Sequence, residues 1–213
     1  MIKEVDNFEL FANNLFEQPL TPDEFYFVQL LVRGKDGHHV SGNNKNRLVK
    51  YYTITSKEQL MSLKEEMINI SKAVTARVYI HPQKRSFKEV AGIALELTAH
   101  TYVSQNWIGM RSVFSTAAGK SGIQKDKKYL IDVDDVSSID DPIIQKIKDA
   151  LFKVRGSGGE NSDKVLYIVS TKSGFHIITK AFDVEAFRKL IPEKQIDIHK
   201  NNPTLLYFAW EEK

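Results

Sequence analysis

Asp132 and Asp134 close an apolar run, Lys127-Lys128-Tyr129-Leu130-Ile131-Asp132-Val133-Asp134-Asp135. Alternate side chains of a strand share a face, so the two carboxylates project to one side while Ile131 and Val133 point to the other. Like charges held this close raise each other's pKa unless a cation sits between them. Oxygen donors of this kind suit a hard divalent ion, Mg²⁺ or Mn²⁺. The plainer alternative is a solvated acidic strand end running into a turn, since Asp135, Asp140 and Asp141 follow closely.

A second constellation is Ser170-Thr171-Lys172-Ser173-Gly174-Phe175-His176. It reads as a tight hairpin. Gly174 permits close backbone approach or a positive φ. Lys172, Ser173 and the turn amides are donors for a phosphate, and His176 adds another. A plain turn with a core or edge histidine is the alternative. The third is Gln195-Ile196-Asp197-Ile198-His199, one acid between two isoleucines on a short strand. Ordinary alternation explains it unless other acids lie close in space.

Other signals carry less chemistry. Gly119-Lys120-Ser121 suggests a phosphate loop, but Phe114 stands where the first glycine of that motif belongs, and the segment precedes a strand. His38, His39 and His81 lack the spacing of metal pairs and read as solvent-exposed. Arg77, Lys84 and Arg85, with Lys88 and Arg111, form a loose basic set. It is either a solvated surface or a contact for a phosphate backbone. Trp107 and Trp210 read as core, and so do Tyr51 and Tyr52, although alternating tyrosines also offer a stacking face.

These groups need elements to hold them. The chain has 213 residues, 42% hydrophobic and 27% charged, with net charge +3 and no cysteine. That composition supports an ordinary globular core and excludes disulfides and thiolate zinc sites. No stretch approaches a membrane span, and the N-terminus lacks a signal-peptide core, so a cytoplasmic protein is the default expectation. Val5 to Phe16 predicts a short amphipathic helix. Phe25 to Val32 and Leu48 to Ile54 predict strands, with a polar loop from Gly34 to Asn46 between them. Ser56 with Gln59 opens a helix to Lys72, and Ser86 with Glu89 opens another to Ser104. Ala76 to Ile80 is a strand. The small residues Ala117 to Gly122 suggest a flexible lobe boundary. Beyond it, Tyr129 to Asp134 is a strand and Pro142 starts a helix to Val154. Val165 to Ser170 and Phe175 to Thr179 are strands, and Asp183 caps a helix to Leu190. Gln195 to Ile198 and Leu205 to Ala209 complete the pattern. The second half therefore reads β-α-β-β-α-β-β, close to a ferredoxin-like arrangement with an extra strand. The expected class is α+β, with residues 1–118 as one lobe and 119–213 as the other.

Taken in order, Asp132-Val133-Asp134, Ser173-Gly174-Phe175-His176 and Ile196-Asp197-Ile198 resemble the catalytic motifs of the archaeo-eukaryotic primase superfamily. The resemblance covers about residues 70 to 210. Arg77 to Ser86 also resembles an upstream strand of its small phage and plasmid members. It implies a two-lobed core, an N-terminal α/β unit packed on an RRM-like unit. It implies that Asp132, Asp134 and Asp197 hold two Mg²⁺ or Mn²⁺ ions, and that His176, with Lys172, Ser173 and Gly174, contacts the incoming nucleotide. The implied activity is nucleotidyl transfer, making or extending a primer. The implied partners are nucleoside triphosphates, a single-stranded template touched by Arg77, Lys84 and Arg85, and a helicase or other replication protein, with no membrane. Neither a zinc module nor a helicase segment is present, so the chain reads as either a stand-alone small primase or a piece of a larger protein. Two other readings stay open: a primase-like module that binds nucleic acid without catalysis, and a metal-dependent nuclease.

Overall fold

The computed structural model describes residues 2–36, 46–122, 127–192 and 196–211. Most of the loop expected between Gly34 and Asn46, with His38 and His39, lies outside the described residues, as does Gln195.

The fold is mixed α+β, with two antiparallel sheets and seven α-helices among the described residues. The first sheet runs β1 (Ile2–Asp6), β10 (Thr204–Glu211), β4 (Arg77–Ile80), β2 (Glu24–Arg33), β3 (Asn46–Ile54). The short β5 (Arg85–Ser86) joins the end of β2. β2 is its backbone. Tyr26, Val28, Leu30 and Val32 alternate onto one face, in a core with α1 (Phe8–Leu15) and α3 (Lys64–Val74). Phe25 and Phe27 point the other way, toward α4 (Phe87–Val103) and α5 (Val113–Lys120).

The second sheet has the order β7 (Val165–Ser170), β8 (Gly174–Lys180), β6 (Lys128–Asp134), β9 (Ile196–His199). Ile131, Val133, Ile177 and Ile196 line one face and bury against α6 (Pro142–Lys153) and α7 (Val184–Leu190). Ile144, Ile147 and Leu151 sit at the one-turn spacing that makes this face of α6 continuous. On the opposite face, Leu130, Val169, Ile178 and Tyr167 join the core of the first sheet. Phe11 meets Tyr167 edge-on at 5.7 Å. Asn7 stitches the two sheets together, donating to the carbonyls of Ser170 (3.0 Å) and Leu205 (2.9 Å).

Local signals placed several helix starts. Ser56 accepts from the Gln59 amide and Ser86 from the Glu89 amide, both at 3.1 Å. Asp141 caps the helix that Pro142 begins, and Asp183 caps α7. Elsewhere the structure differs from expectation. Ile2–Asp6 is a strand, because it pairs with β10 along the sheet edge; the helix starts only at Phe8. The helix after Ser56 breaks at Leu63 into α2 (Lys57–Ser62) and α3. The small residues 117–120 are helical, and Ala117 and Ala118 are buried against α4 and β2 because small side chains let the elements approach. The last strand does not extend the second sheet. β10 enters the first, between β1 and β4. Trp107 is 59% exposed, not core, whereas Trp210 packs against Phe208. No described helix is long and apolar enough to cross a membrane.

Candidate functional site

β6 is central in the second sheet, and its register aligns the candidate residues. Asp132 lies opposite His176 of β8 on one side and opposite Asp197 of β9 on the other. Residues directly opposite in an antiparallel ladder share a face, with Cβ atoms about 5 Å apart. Asp134, two residues along, lies on the same face opposite Gly174. The face is shared with Leu130, Val169 and Ile178, which are covered by the first sheet. The acids begin where that cover ends. One patch thus holds Asp132, Asp134, His176 and Asp197, drawn from three strands.

His176 Nε2 donates to Asp132 Oδ1 at 3.1 Å. Its other nitrogen, Nδ1, lies 2.7 Å from the hydroxyl of Thr204, the fully buried first residue of β10. Asp132 and Asp134 respond oppositely to these surroundings. Burial works to raise the Asp132 carboxyl, but the hydrogen bond from His176 and the fields of His176, His199 and Arg33 outweigh it and hold the carboxyl below its usual value. Asp134 is pushed up by burial and by the negative charges of Asp132 and Asp135. Neighbouring acids driven apart in this way are a mark of functional sites.

Gly174 sits where the hairpin crosses closest to β6. A Cβ there would run into the carbonyl oxygen of Val133, so only glycine lets β8 lie this near Asp134. Beside it opens a hollow of about 540 Å³, lined by Asp135, Ser137, Thr171, Lys172, Ser173 and Gly174 among others. Ser173 Oγ reaches Asp134 at 3.5 Å, the outer limit of a hydrogen bond. The Lys172 ammonium is held against the first sheet, 5.8 Å from the rings of Phe208 and Trp210 and 4.0 Å from Asp36.

The basic set is not brought to the acids as a group. Arg77 is clamped to Asp36 through two hydrogen bonds of 2.6 and 2.8 Å. Lys84 pairs with Glu24 at 3.1 Å. Arg85 is fully buried, so it is neither a solvated surface residue nor an open phosphate contact. It donates to the carbonyls of Ala118 and Gln83, to Asn201 Oδ1 and to His81 Nδ1. His81 is also buried, not exposed as its sequence suggested. Burial, with the charge of Arg85, holds its imidazole well below the ordinary value, so it stays neutral and accepts. Asn201 in turn donates to the Gly119 carbonyl at 3.2 Å. The Gly119-Lys120-Ser121 stretch is therefore a helix C-terminus, the negative end of the dipole and unsuited to a phosphate.

Sequence reasoning missed three contributors. His199 is two residues from Asp197, and strand alternation was the signal that could have placed it on the acid face. Arg33 and Thr204 reach the site only through the first sheet, and no local pattern announces them.

Among the described residues, no group of three or more His, Cys, Asp or Glu side chains is drawn together tightly enough to hold a metal ion. Asp132 and Asp134 share a face and are oxygen donors of the type a hard cation takes. The Asp134 carboxyl is raised first by burial and then by the negative charges of Asp132 and Asp135. No family model, curated protein or solved structure matches the chain.

Proposed function

We propose that this protein is a nucleotidyltransferase of the primase–polymerase type, one that makes or extends a primer on a single-stranded template. The observation that carries the reading is the cross-strand row Asp197–Asp132–His176, with Asp134 beside it on the same face. These are the residues the resemblance to the archaeo-eukaryotic primase superfamily requires in one place. The chain order β6-α6-β7-β8-α7-β9, with β6 and β8 central, is a ferredoxin-like pattern and supports an RRM-like catalytic lobe. The strand β10 ties that lobe into the α/β unit that precedes it.

In this reading Asp132, Asp134 and Asp197 hold Mg²⁺ or Mn²⁺. The bound ions supply charge neutralisation for the attacking hydroxyl and the departing pyrophosphate. The chain's own residues do the positioning, which dominates phosphoryl chemistry. His176 presents an N–H toward the acid face, where a nucleotide phosphate can take it. Ser173, which reaches Asp134, and the hairpin backbone also border the neighbouring hollow, and they are the groups this reading assigns to the triphosphate. The Asp132–His176 hydrogen bond keeps the ring aimed at that face before a nucleotide arrives.

The test is primer synthesis or extension with Mg²⁺ or Mn²⁺, nucleoside triphosphates and a single-stranded template. Incorporation that survives Asp132→Ala combined with Asp134→Ala rejects the assignment. One observation favours a second reading, a nucleic-acid-binding module without catalysis: among the described residues no three acids or histidines come together tightly enough to hold a metal ion. Template binding that ignores divalent ions, with no incorporation, would support it. Degradation of a labelled strand without nucleotides would point to a nuclease.

A further inference from the structure

Thr204 is the first residue of β10, paired opposite Ile80 in the first sheet, yet its side chain serves the second. It has no exposed surface, and its hydroxyl meets His176 Nδ1 at 2.7 Å. A buried hydroxyl without a partner carries the full cost of its desolvation, so the imidazole is part of what makes threonine tolerable there. The opposite ring nitrogen faces Asp132 Oδ1 at 3.1 Å. An ionised carboxylate only accepts, so Nε2 must carry the proton. In the neutral ring that leaves Nδ1 as an acceptor, and Thr204 is its donor.

We propose that Thr204 is a positioning residue: from the neighbouring sheet it locks His176 in the Nε2–H tautomer, with that N–H directed at the acid face. A ring held at both nitrogens can neither flip nor rotate without breaking a hydrogen bond, as with the outer partners that orient imidazoles in other sites. The lock also makes the site depend on how the two sheets pack. Thr204 reaches His176 only while β10 stays seated between β1 and β4. Asn201, three residues earlier, is fastened to Arg85 at 2.8 Å and to the end of α5, which holds the approach to β10 in place.

The tautomer claim stands on the geometry. Its kinetic consequence rests on the proposed nucleotidyl transfer. The experiment is ¹⁵N imidazole NMR of His176 at pH 9 in the whole chain, compared with Thr204→Val and Thr204→Ser, alongside nucleotide KM and kcat. The expected wild-type spectrum shows a protonated Nε2 and a bare Nδ1. Thr204→Val should mix the tautomers and raise KM roughly five- to tenfold, the loss of about one hydrogen bond. Thr204→Ser, which keeps the hydroxyl, should restore both. A wild-type ring protonated on Nδ1, or on both nitrogens, overturns the proposal even if the valine variant fails to fold. So does a valine variant that folds with an unchanged His176 spectrum. A tautomer shift in a protein that incorporates no nucleotide leaves the lock standing and removes the polymerase reading.

Discussion

Asp197 faces Asp132 directly across the β6–β9 ladder, two acidic residues set opposite each other by strand pairing alone. In an ordinary sheet such a like-charge pair is destabilising.

Neutralising that pair tests its role. Asp197→Asn, at an exposed position, should leave the fold intact and lower nucleotide incorporation at least about 100-fold, as when one preorganised electrostatic group is removed from a site. Mn²⁺ binding, followed by electron paramagnetic resonance of the free ion, should weaken in parallel. Full activity in a well-folded Asp197→Asn protein would remove this residue from the ion site.

The two acids of β6 should respond oppositely to the same change. The Asp132 carboxyl is depressed, so its ionised form stabilises the fold at neutral pH, and that contribution is lost as pH falls through the depressed value. The Asp134 carboxyl is raised, so ionising it costs stability as pH rises past the ordinary carboxylate range. At pH 7, Asp132→Asn should destabilise by about 1 kcal/mol or more, while Asp134→Asn should leave the melting temperature unchanged or higher. Both should abolish incorporation. Thermal melts at pH 7 read the sign directly.

Arg77 and Asp36 form the tightest buried pair near the site, with side chains only 13% and 7% exposed. Burial would raise the Asp36 carboxyl, but Arg77, with Lys172 and Arg33, pulls it below its usual value of 3.8. Asp36→Asn should therefore cost about 2–4 kcal/mol at pH 7, where it strands the guanidinium. The difference from wild type should shrink as pH falls below the ordinary carboxylate range, because Asp36 takes up a proton first in the unfolded chain and in the folded one only below its depressed value. Urea unfolding at pH 7 and near pH 3 makes the comparison; an equal difference at both would contradict the assigned pairing.

Gly174→Ala should separate β8 from β6 at Asp134, since the added methyl meets the Val133 carbonyl. A loss of about 2–3 kcal/mol is expected from such overpacking, together with reduced incorporation. Gly92→Ala is the control. It sits mid-helix with open space around its missing Cβ, and should add about 0.5–1 kcal/mol without touching activity. Urea midpoints for the two variants should fall on opposite sides of wild type.

Much of this was readable along the chain. Alternation over residues 128–134 put both β6 acids on one face, and the capping serines and Asp183 marked where α2, α4 and α7 begin. Other features escaped. Ile2–Asp6 reads as the start of a helix until β10 is there to pair with it. Arg85 and His81 look like surface groups, yet the turn after β4 folds them inward against α5 and Asn201. Trp107 looks like core and is not.

The division follows from range. Alternation, caps and turns act between residues a few positions apart, so the sequence by itself determined most of the strands, which way their side chains point and which β6 acids share a side. Strand partnership is chosen by long-range pairing and burial. Only the folded chain decided that β8 and β9 flank β6, which sets His176 and Asp197 on either side of Asp132. It alone sent β10 across to the other sheet, where Thr204 could reach the ring.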